Sequence, residues 1–241
     1  MCSSDLVPAV DEELPHAPAV AQLAPRLAVM LPDTVYVATM LDKLIAAEVL
    51  RTKQLDAPRT VTFGCSSGIG FPCFAKPRRG RGSRGAQVLR NAEAAGAYRT
   101  LSGLTDDQIV MQELLQGQEY TVLMAADREA RLHAVVPVKV MVKRGITLRA
   151  ETEAHPTVIN ACAAIHRVLP TTGCYNIQLY LTPDQRVLPF EINPRISTTF
   201  CLGIAAGVDP VEIFLGNAAP KGLREFRAGL KLTRSWHNHI S

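Results

Sequence analysis

The chain has 241 residues, 47% hydrophobic and 20% charged, a composition that supports a buried core and excludes disorder over most of its length. Its 26 basic and 22 acidic side chains leave a formal charge of +4, which suits a site for anionic phosphates but is far too small to argue for nucleic acid. No apolar run reaches membrane-spanning length, and the N-terminus lacks the basic segment and apolar core of a secretory signal.

The first 40 residues hold five prolines and read as short helical pieces between turns, with a brief strand over Val35, Tyr36, Val37 and Ala38. Cys2-Ser3-Ser4-Asp5-Leu6 reads either as a translated sequencing-adapter end, in an open reading frame cut from a longer gene, or as a polar tail. Asp42 caps an expected helix whose apolar contacts are Leu44, Ile45, Ala47, Val49 and Leu50, stopped by Gln54 and Pro58. Thr60 to Gly70 reads as strand and loop.

Phe71 to Lys76 reads as a buried strand running into Pro-Arg-Arg-Gly-Arg-Gly-Ser-Arg-Gly, whose proline and glycines argue against regular structure. Asn91 caps a helix ending near Gly103. Three strand-like runs follow, Ile109 to Leu114, Glu119 to Ala125 and Leu132 to Val142, with antiparallel pairing the simplest arrangement. A helix from about Thr157 to Val168 precedes two strands, Gly173 to Leu181 and Arg186 to Ile192, joined by the turn Thr-Pro-Asp-Gln. Asp209-Pro-Val-Glu212 signals a short helix to Leu215, with an N-cap, proline at the first helical position and an acid at N3.

The richest stretch is Pro189-Phe-Glu-Ile-Asn-Pro-Arg195. Side chains at i and i+2 share a strand face, so Glu191 and Asn193 point one way while Phe190 and Ile192 pack into the layer behind. Pro194 ends the strand and sets where Arg195 points. Gln178, a polar residue inside the apolar run of the neighbouring strand, needs a partner, and its amide oxygen is a third donor beside Glu191 and Asn193. Such a set suits magnesium bound to a polyphosphate better than a protein-only cage.

Lys76 ends an apolar strand and opens a loop containing Gly80, Gly82 and Gly85, where backbone N–H groups can approach phosphates. The same arginine-glycine loop also reads as a flexible RNA-binding or solvated segment, although no aromatic residue accompanies it for base stacking. Glu113 and Glu119 flank a short connector that can offer backbone to an adenine edge and a carboxylate to ribose, or be simply a turn with two surface acids. The cysteines at 2, 65, 73, 162, 174 and 201 show no metal-ligand spacing, so reduced cytoplasmic thiols are expected. His16, His133, His155, His166, His237 and His239 form no catalytic cluster.

Taken in order, Asp42-Lys43, the Lys76 loop, Glu113-Leu-Leu-(x)3-Glu119, Gly173-Cys-Tyr-Asn-Ile-Gln178 and Pro-Phe-Glu191-Ile-Asn193-Pro-Arg195 resemble the ATP-grasp superfamily, and within it the carbamoyl-phosphate-synthetase large-chain type of domain. The resemblance covers roughly residues 35 to 220 and implies an α+β fold, two subdomains clasping ATP between antiparallel sheets. Residues 42–125 would form the N-terminal subdomain and 126–220 the C-terminal one with the metal site. Residues 1–41 would be the remnant of an upstream α/β domain that such proteins usually have in full, and 221–241 a tail.

The resemblance also implies roles. Lys43 and Lys76, with Gly80 and Gly82 of the loop, would contact phosphates, Glu113 and Leu115 would frame adenine, and Glu119 would hold ribose. Gln178, Glu191 and Asn193 would bind magnesium, with manganese as the alternative ion. Arg195 would stabilise the transferring phosphoryl group, with Lys139 and Arg144 as further candidates on the facing strand. The implied activity is ATP-dependent formation of an acyl-phosphate from a small carboxylate, displaced by an amine or ammonia, with positioning and charge neutralisation supplying the rate. A nucleotide-binding module without turnover is the competing reading. Apolar surface left by a missing upstream domain would favour self-association.

Overall fold

The computed structural model describes residues 5–24, 26–65, 68–216 and 222–236. Cys2, Ser3 and Ser4 of the N-terminal pentapeptide, His237 and His239 lie outside the described residues. Strand β1 (Asp5–Leu6) pairs in parallel with β2 (Ala28–Val29), and helix α1 (Ala17–Leu23) connects them.

The run expected as a strand over residues 35–38 is instead helix α2 (Thr34–Met40). The Asp33 carboxylate accepts hydrogen bonds from the Val35 and Tyr36 backbone N–H groups, and Tyr36, Val37 and Met40 share the buried side. A capped first turn with a helical burial stripe outweighs the β-propensity of Val-Tyr-Val. Helix α3 (Lys43–Thr52) begins where the sequence places it, with Asp42 accepting from Leu44 and Ile45 N–H at 3.2 Å each.

Strands β3 (Thr60–Thr62), β4 (Cys73–Pro77) and β5 (Gln87–Leu89), helix α4 (Ala92–Ser102) and strand β6 (Ile109–Glu113) build the smaller half. The strands form an antiparallel sheet in the order β3-β6-β4-β5. Asn91 caps α4 through the Ala94 N–H, and Ala95 and Tyr98 pack the helix on Cys73, Ala75, Leu89 and Ile109.

Strands β7 (Gln118–Ala126), β8 (Leu132–Arg144) and β9 (Ile146–Thr152), helix α5 (Pro156–Val168), strands β10 (Gly173–Leu181) and β11 (Val187–Asn193), helices α6 (Phe200–Ala205) and α7 (Pro210–Leu215), and strand β12 (Lys231–Thr233) make the larger half. Its antiparallel sheet runs β11-β10-β7-β8-β9-β12. Helices α2, α3 and α5 cover one face through Tyr36, Leu50, Val158 and Ile165. Helices α6 and α7 cover part of the other through Phe200, Leu202, Ile213 and Phe214. Strands β1, β2, β5, β9 and β12 and helix α6 were not anticipated from the sequence.

The three runs expected to pair in succession divide between the sheets. Strands β7 and β8 form the expected hairpin, but β6 pairs with β3 and β4. The chain therefore crosses between the halves at residues 114–117, and a division after Ala125 would cut β7 off from the sheet it belongs to. Among the described residues no helix is long and apolar enough to cross a membrane.

Gly117 makes this crossing possible. It has φ +131°, and a Cβ there would lie 2.2 Å from the Leu181 carbonyl oxygen. Gly117→Ala is expected to destabilise the protein by about 2 to 3 kcal/mol through backbone strain and overpacking, read as a lowered urea midpoint.

Candidate functional site

Between the two sheets lies a cavity of about 390 Å³. The smaller sheet contributes Lys76 near the end of β4, and its glycine-rich loop contributes Gly80, Arg81 and Arg84. Lys43, in the first turn of α3, enters from the side and donates from Nζ to the Gly80 carbonyl at 2.7 Å. The larger sheet contributes Glu119, Gln178, Tyr180, Phe190 and Glu191. Residues 80, 82 and 85 all have φ between +68° and +123°, which is why the loop is built on glycine. A Cβ on Gly145, at the β8–β9 turn, would sit 3.3 Å from the Gly82 carbonyl oxygen, so hairpin tip and loop meet over the cleft.

Asp42 holds the base of that loop. Its side chain is 2% exposed and accepts from Arg78 Nε at 2.8 and 2.9 Å and from Arg79 Nε at 3.3 Å while also capping α3. Burial works to raise its pKa, but the hydrogen bonds from Arg78, the Ile45 N–H and Arg79 outweigh it and hold the carboxyl below its ordinary range. Arg81 in turn pairs with Glu12 at 3.0 Å. Three arginines of the stretch that also read as an RNA-binding segment, Arg78, Arg79 and Arg81, thus pair with carboxylates of this chain.

Lys76 is 4% exposed. Its Nζ donates to Gln112 Oε1 and to the Phe190 carbonyl, each at 3.2 Å, and lies 5.2 Å from the centroid of the Phe190 ring. Burial brings its pKa down to about 8, with repulsion from Lys43 and Lys143 adding and attraction to Glu191 opposing.

Glu191 stands opposite Gln178 in the β10–β11 register, as the sequence implies, but Phe190 departs from the expected alternation. Pro189 pairs with Leu179 and Glu191 with Gln178, so Phe190 is the extra residue of a β-bulge. It lines the cavity beside Glu191 instead of packing behind, and its ring lies 5.7 Å from that of Tyr180. Ile192 is buried in the opposite face as expected.

Asn193 is buried below the cavity wall, donating to Asn176 Oδ1 at 3.3 Å, while Asn176 donates to the Arg195 carbonyl at 3.4 Å. The Arg195 guanidinium forms an ion pair with Asp11 and donates to the Ile196 carbonyl, and it does not line the cavity. Glu113 reaches the cavity rim, but its carboxylate accepts from the Arg59 N–H at 2.9 Å, so Leu114 and Leu115 are the side chains left beside it.

Neither Lys139 nor Arg144 lines the cavity. Lys139 stands opposite Tyr120, on the face covered by α5, with Glu153 at 3.7 Å. Lys143 occupies the place, donating to Glu119 Oε1 at 2.5 Å and Gln178 Oε1 at 2.9 Å. Val136 and Val138 face the same side as the cleft, and strict alternation would next deliver Val142 and Arg144. Register shifts after Val140 and after Val142 change the phase and bring Lys143 forward. Residue types alone do not signal such bulges, so Lys143 escaped the sequence reading.

Oxygen donors for a cation are present on the larger sheet: Glu191 and Gln178 are paired neighbours, with Glu119 one strand over. Among the described residues no group of three or more His, Cys, Asp or Glu could hold a metal by itself. The donors fit a magnesium ion that takes its remaining ligands from water and phosphates.

A family model described as ATP-grasp in the biosynthetic pathway with Ter operon matches residues 105–234. The chain is 28% identical over 200 residues to the N5-carboxyaminoimidazole ribonucleotide synthase of Synechococcus elongatus, covering 77% of this chain and 50% of that protein. It thus spans about half the length of the curated relative it matches. Among solved structures, a biotin carboxylase from Campylobacter jejuni in complex with β,γ-ATP superposes with a TM-score of 0.74 at 16% identity, over 90% of this chain and 56% of that one. A carboxyaminoimidazole ribonucleotide synthase from Aspergillus clavatus complexed with ATP gives 0.72 at 15%, over 89% and 62%. At these identities the structural likeness is one of fold.

Asp42 is expected to matter in proportion to its double role. Asp42→Ala should lower stability by about 2 to 4 kcal/mol, since it removes a helix cap and the counter-ion of Arg78 together. Because the folded carboxyl titrates below its unfolded value, this stabilisation is complete above about pH 4 and is lost as pH falls through the lower folded pKa. Urea melts of wild type and variant at stepwise lower pH should converge.

Proposed function

Because the chain belongs to the ATP-grasp family, we propose that its cleft binds magnesium-ATP and that it forms the nucleotide-binding core of a ligase joining a small carboxylate to an amine or ammonia. The observation that carries this reading is the convergence of Lys43, Lys76, Glu119, Gln178 and Glu191, drawn from both sheets and five separate elements, on one cavity. Its volume lies within the range of small-molecule sites. Phe74, Val88 and Leu115 give the cavity apolar wall for a base, and its cations face the opposite need.

The proposed reaction is the one that the motif resemblance implies. The substrate carboxylate attacks the γ-phosphorus of ATP, ADP leaves, and the acyl-phosphate loses inorganic phosphate when the amine attacks its carbonyl carbon. Lys43 and Lys76 would hold the phosphates in line, and the glycine-rich loop would close over them with its N–H groups. Glu119 would accept from ribose hydroxyls once Lys143 turns toward the transferring phosphate. Glu191 and Gln178, with Asn193 behind them, would hold magnesium, which neutralises charge developing on the phosphate oxygens. Arg195 would act once released from Asp11.

The carbamoyl-phosphate-synthetase-like form of the activity rests on the ordered motifs alone. The likeness to an N5-carboxyaminoimidazole ribonucleotide synthase supports the coarser reading of an ATP-grasp ligase. A module that binds nucleotide without turnover is favoured by one observation: Arg195 is held by Asp11 away from the cavity.

Saturating magnesium-ATP is expected to raise the melting temperature, since a ligand at a hundredfold its Kd adds about 2.7 kcal/mol. Glu191→Ala should abolish that rise while leaving the fold intact. ADP release, screened over amino acids, dipeptides and bicarbonate with ammonia, separates the ligase from the silent module. A folded sample that nucleotide does not stabilise would count against both.

A further inference from the structure

We infer that Gln112 is a positioning residue for Lys76, aiming its ammonium into the cavity through a directed hydrogen-bond chain while leaving its charge uncancelled for an anionic ligand. The inference rests on the reading of the cleft as a polyphosphate site and adds a residue to it.

Gln112 lies on β6, opposite Phe74 of β4 on one side and Thr60 of β3 on the other, and is 3% exposed. The Thr60 hydroxyl donates to the Pro58 carbonyl at 3.0 Å, so its oxygen is left to accept, and Gln112 Nε2 donates to it at 2.8 Å. The amide orientation follows: Oε1 must face the other way, where Lys76 Nζ donates to it at 3.2 Å. A flipped amide would set NH2 against the ammonium and leave the hydroxyl without its donor. Every polar atom in the chain from Pro58 to Lys76 thus has one allowed role.

What Lys76 lacks is equally informative. Among the described residues its hydrogen-bond partners are the Gln112 amide and the Phe190 carbonyl, both neutral, and its ring contacts are Phe74 and Phe190. The charges facing it are Glu191 from β11, Lys43 from α3 and Lys143 from β8, and none forms an ion pair with it. A buried ammonium solvated by dipoles and aromatic faces keeps its attraction for an incoming anion, whereas a carboxylate at position 112 would cancel it. The charge is held ready by geometry. Burial places its titration near 8, so the protonated form that an anion selects is depleted as pH rises above that value.

Two measurements on the full chain test this. In the ligand-free protein, the Lys76 side chain is titrated by NMR after reductive methylation with 13C, Lys76→Arg identifying its signal. Wild type should titrate near 8, and Gln112→Glu should move the midpoint up by more than one pH unit. Thr60→Val, which frees the amide to rotate but adds no charge, should move it down. In the second measurement, ATP affinity is followed by calorimetry from pH 6.5 to 9.5. Above pH 8 the wild-type Kd should rise toward about tenfold per pH unit. Gln112→Glu should bind about tenfold more weakly at pH 7, with a profile flat to pH 9.

A Lys76 midpoint that Gln112→Glu leaves in place overturns the inference whatever ATP does. Matching wild-type and Gln112→Glu affinity profiles overturn it too. A midpoint that moves as expected in a chain that binds no nucleotide supports the positioning role and removes the ATP reading instead.

Discussion

Both faces of β7 and β10 are buried along most of their length, with Val122 and Ile177 against α2, α3 and α5, and Leu123 and Cys174 on the side of α6 and α7. Strands covered this way have no room for an unpaired charge, because a polar group taken out of water without a partner costs several kcal/mol. Asn176, buried within β10, is partnered by Asn193, and the carboxylate and the other amides of these strands lie toward the end that the helices leave uncovered. Glu119 and Gln178 stand there, and the smaller sheet closes over them. The core and the cleft are two results of one constraint. Helices α6 and α7 are short, and where they stop, a face that would otherwise need apolar cover becomes the floor of a site.

Departures from ideal pleating then select which side chains face that floor. A bulge in β11 puts Phe190 and Glu191 side by side, and the register shifts in β8 bring Lys143 forward in place of Arg144. An extra residue in a strand leaves ladder groups unpaired and bends the edge, so bulges tend to sit where a sheet has a task beyond packing. Here the Phe190 carbonyl at the β11 bulge also accepts from Lys76, a second dipole beside the Gln112 amide oxygen.

The local part of the fold was legible. Asp42, Asn91 and Asp209 act as helix caps through the hydrogen bonds their residue type predicts, and the β10–β11 hairpin lies within a residue of its expected bounds. The brief strand assigned to Val-Tyr-Val was misread because the deciding residue, Asp33, lies just ahead of the run. Eight of the cavity-lining positions, Lys43, Lys76, Gly80, Glu113, Leu115, Glu119, Gln178 and Glu191, were named from motif order, but Lys143 and Phe190 depend on bulges, which composition does not encode. Arg195 meets Asp11 across 184 residues of sequence, and no local pattern carries a contact of that span. Gln112 was within reach. It is a polar residue directly after the apolar run Ile109-Val110-Met111 on an expected strand, a signal close to the one that drew attention to Gln178, and the neighbouring Glu113 obscured it.

Charge in the cleft is more one-sided than the chain's total implies. Lys43, Lys76, Lys143, Arg81 and Arg84 face a wall whose carboxylates are Glu113, Glu119 and Glu191. Two of these acids are already engaged, Glu113 with the Arg59 N–H and Glu119 with Lys143, so the cations outnumber the acceptors available to them. At low dielectric such an excess is costly unless an anion completes it. Asp11 and Glu12 supply part of the missing negative charge to Arg195 and Arg81 from the N-terminal segment. Of these two arginines, Arg81 lines the cavity and Arg195 is held clear of it. An anion that took Arg81 from Glu12 would loosen that acidic turn, so anion binding and retention of the turn are opposed.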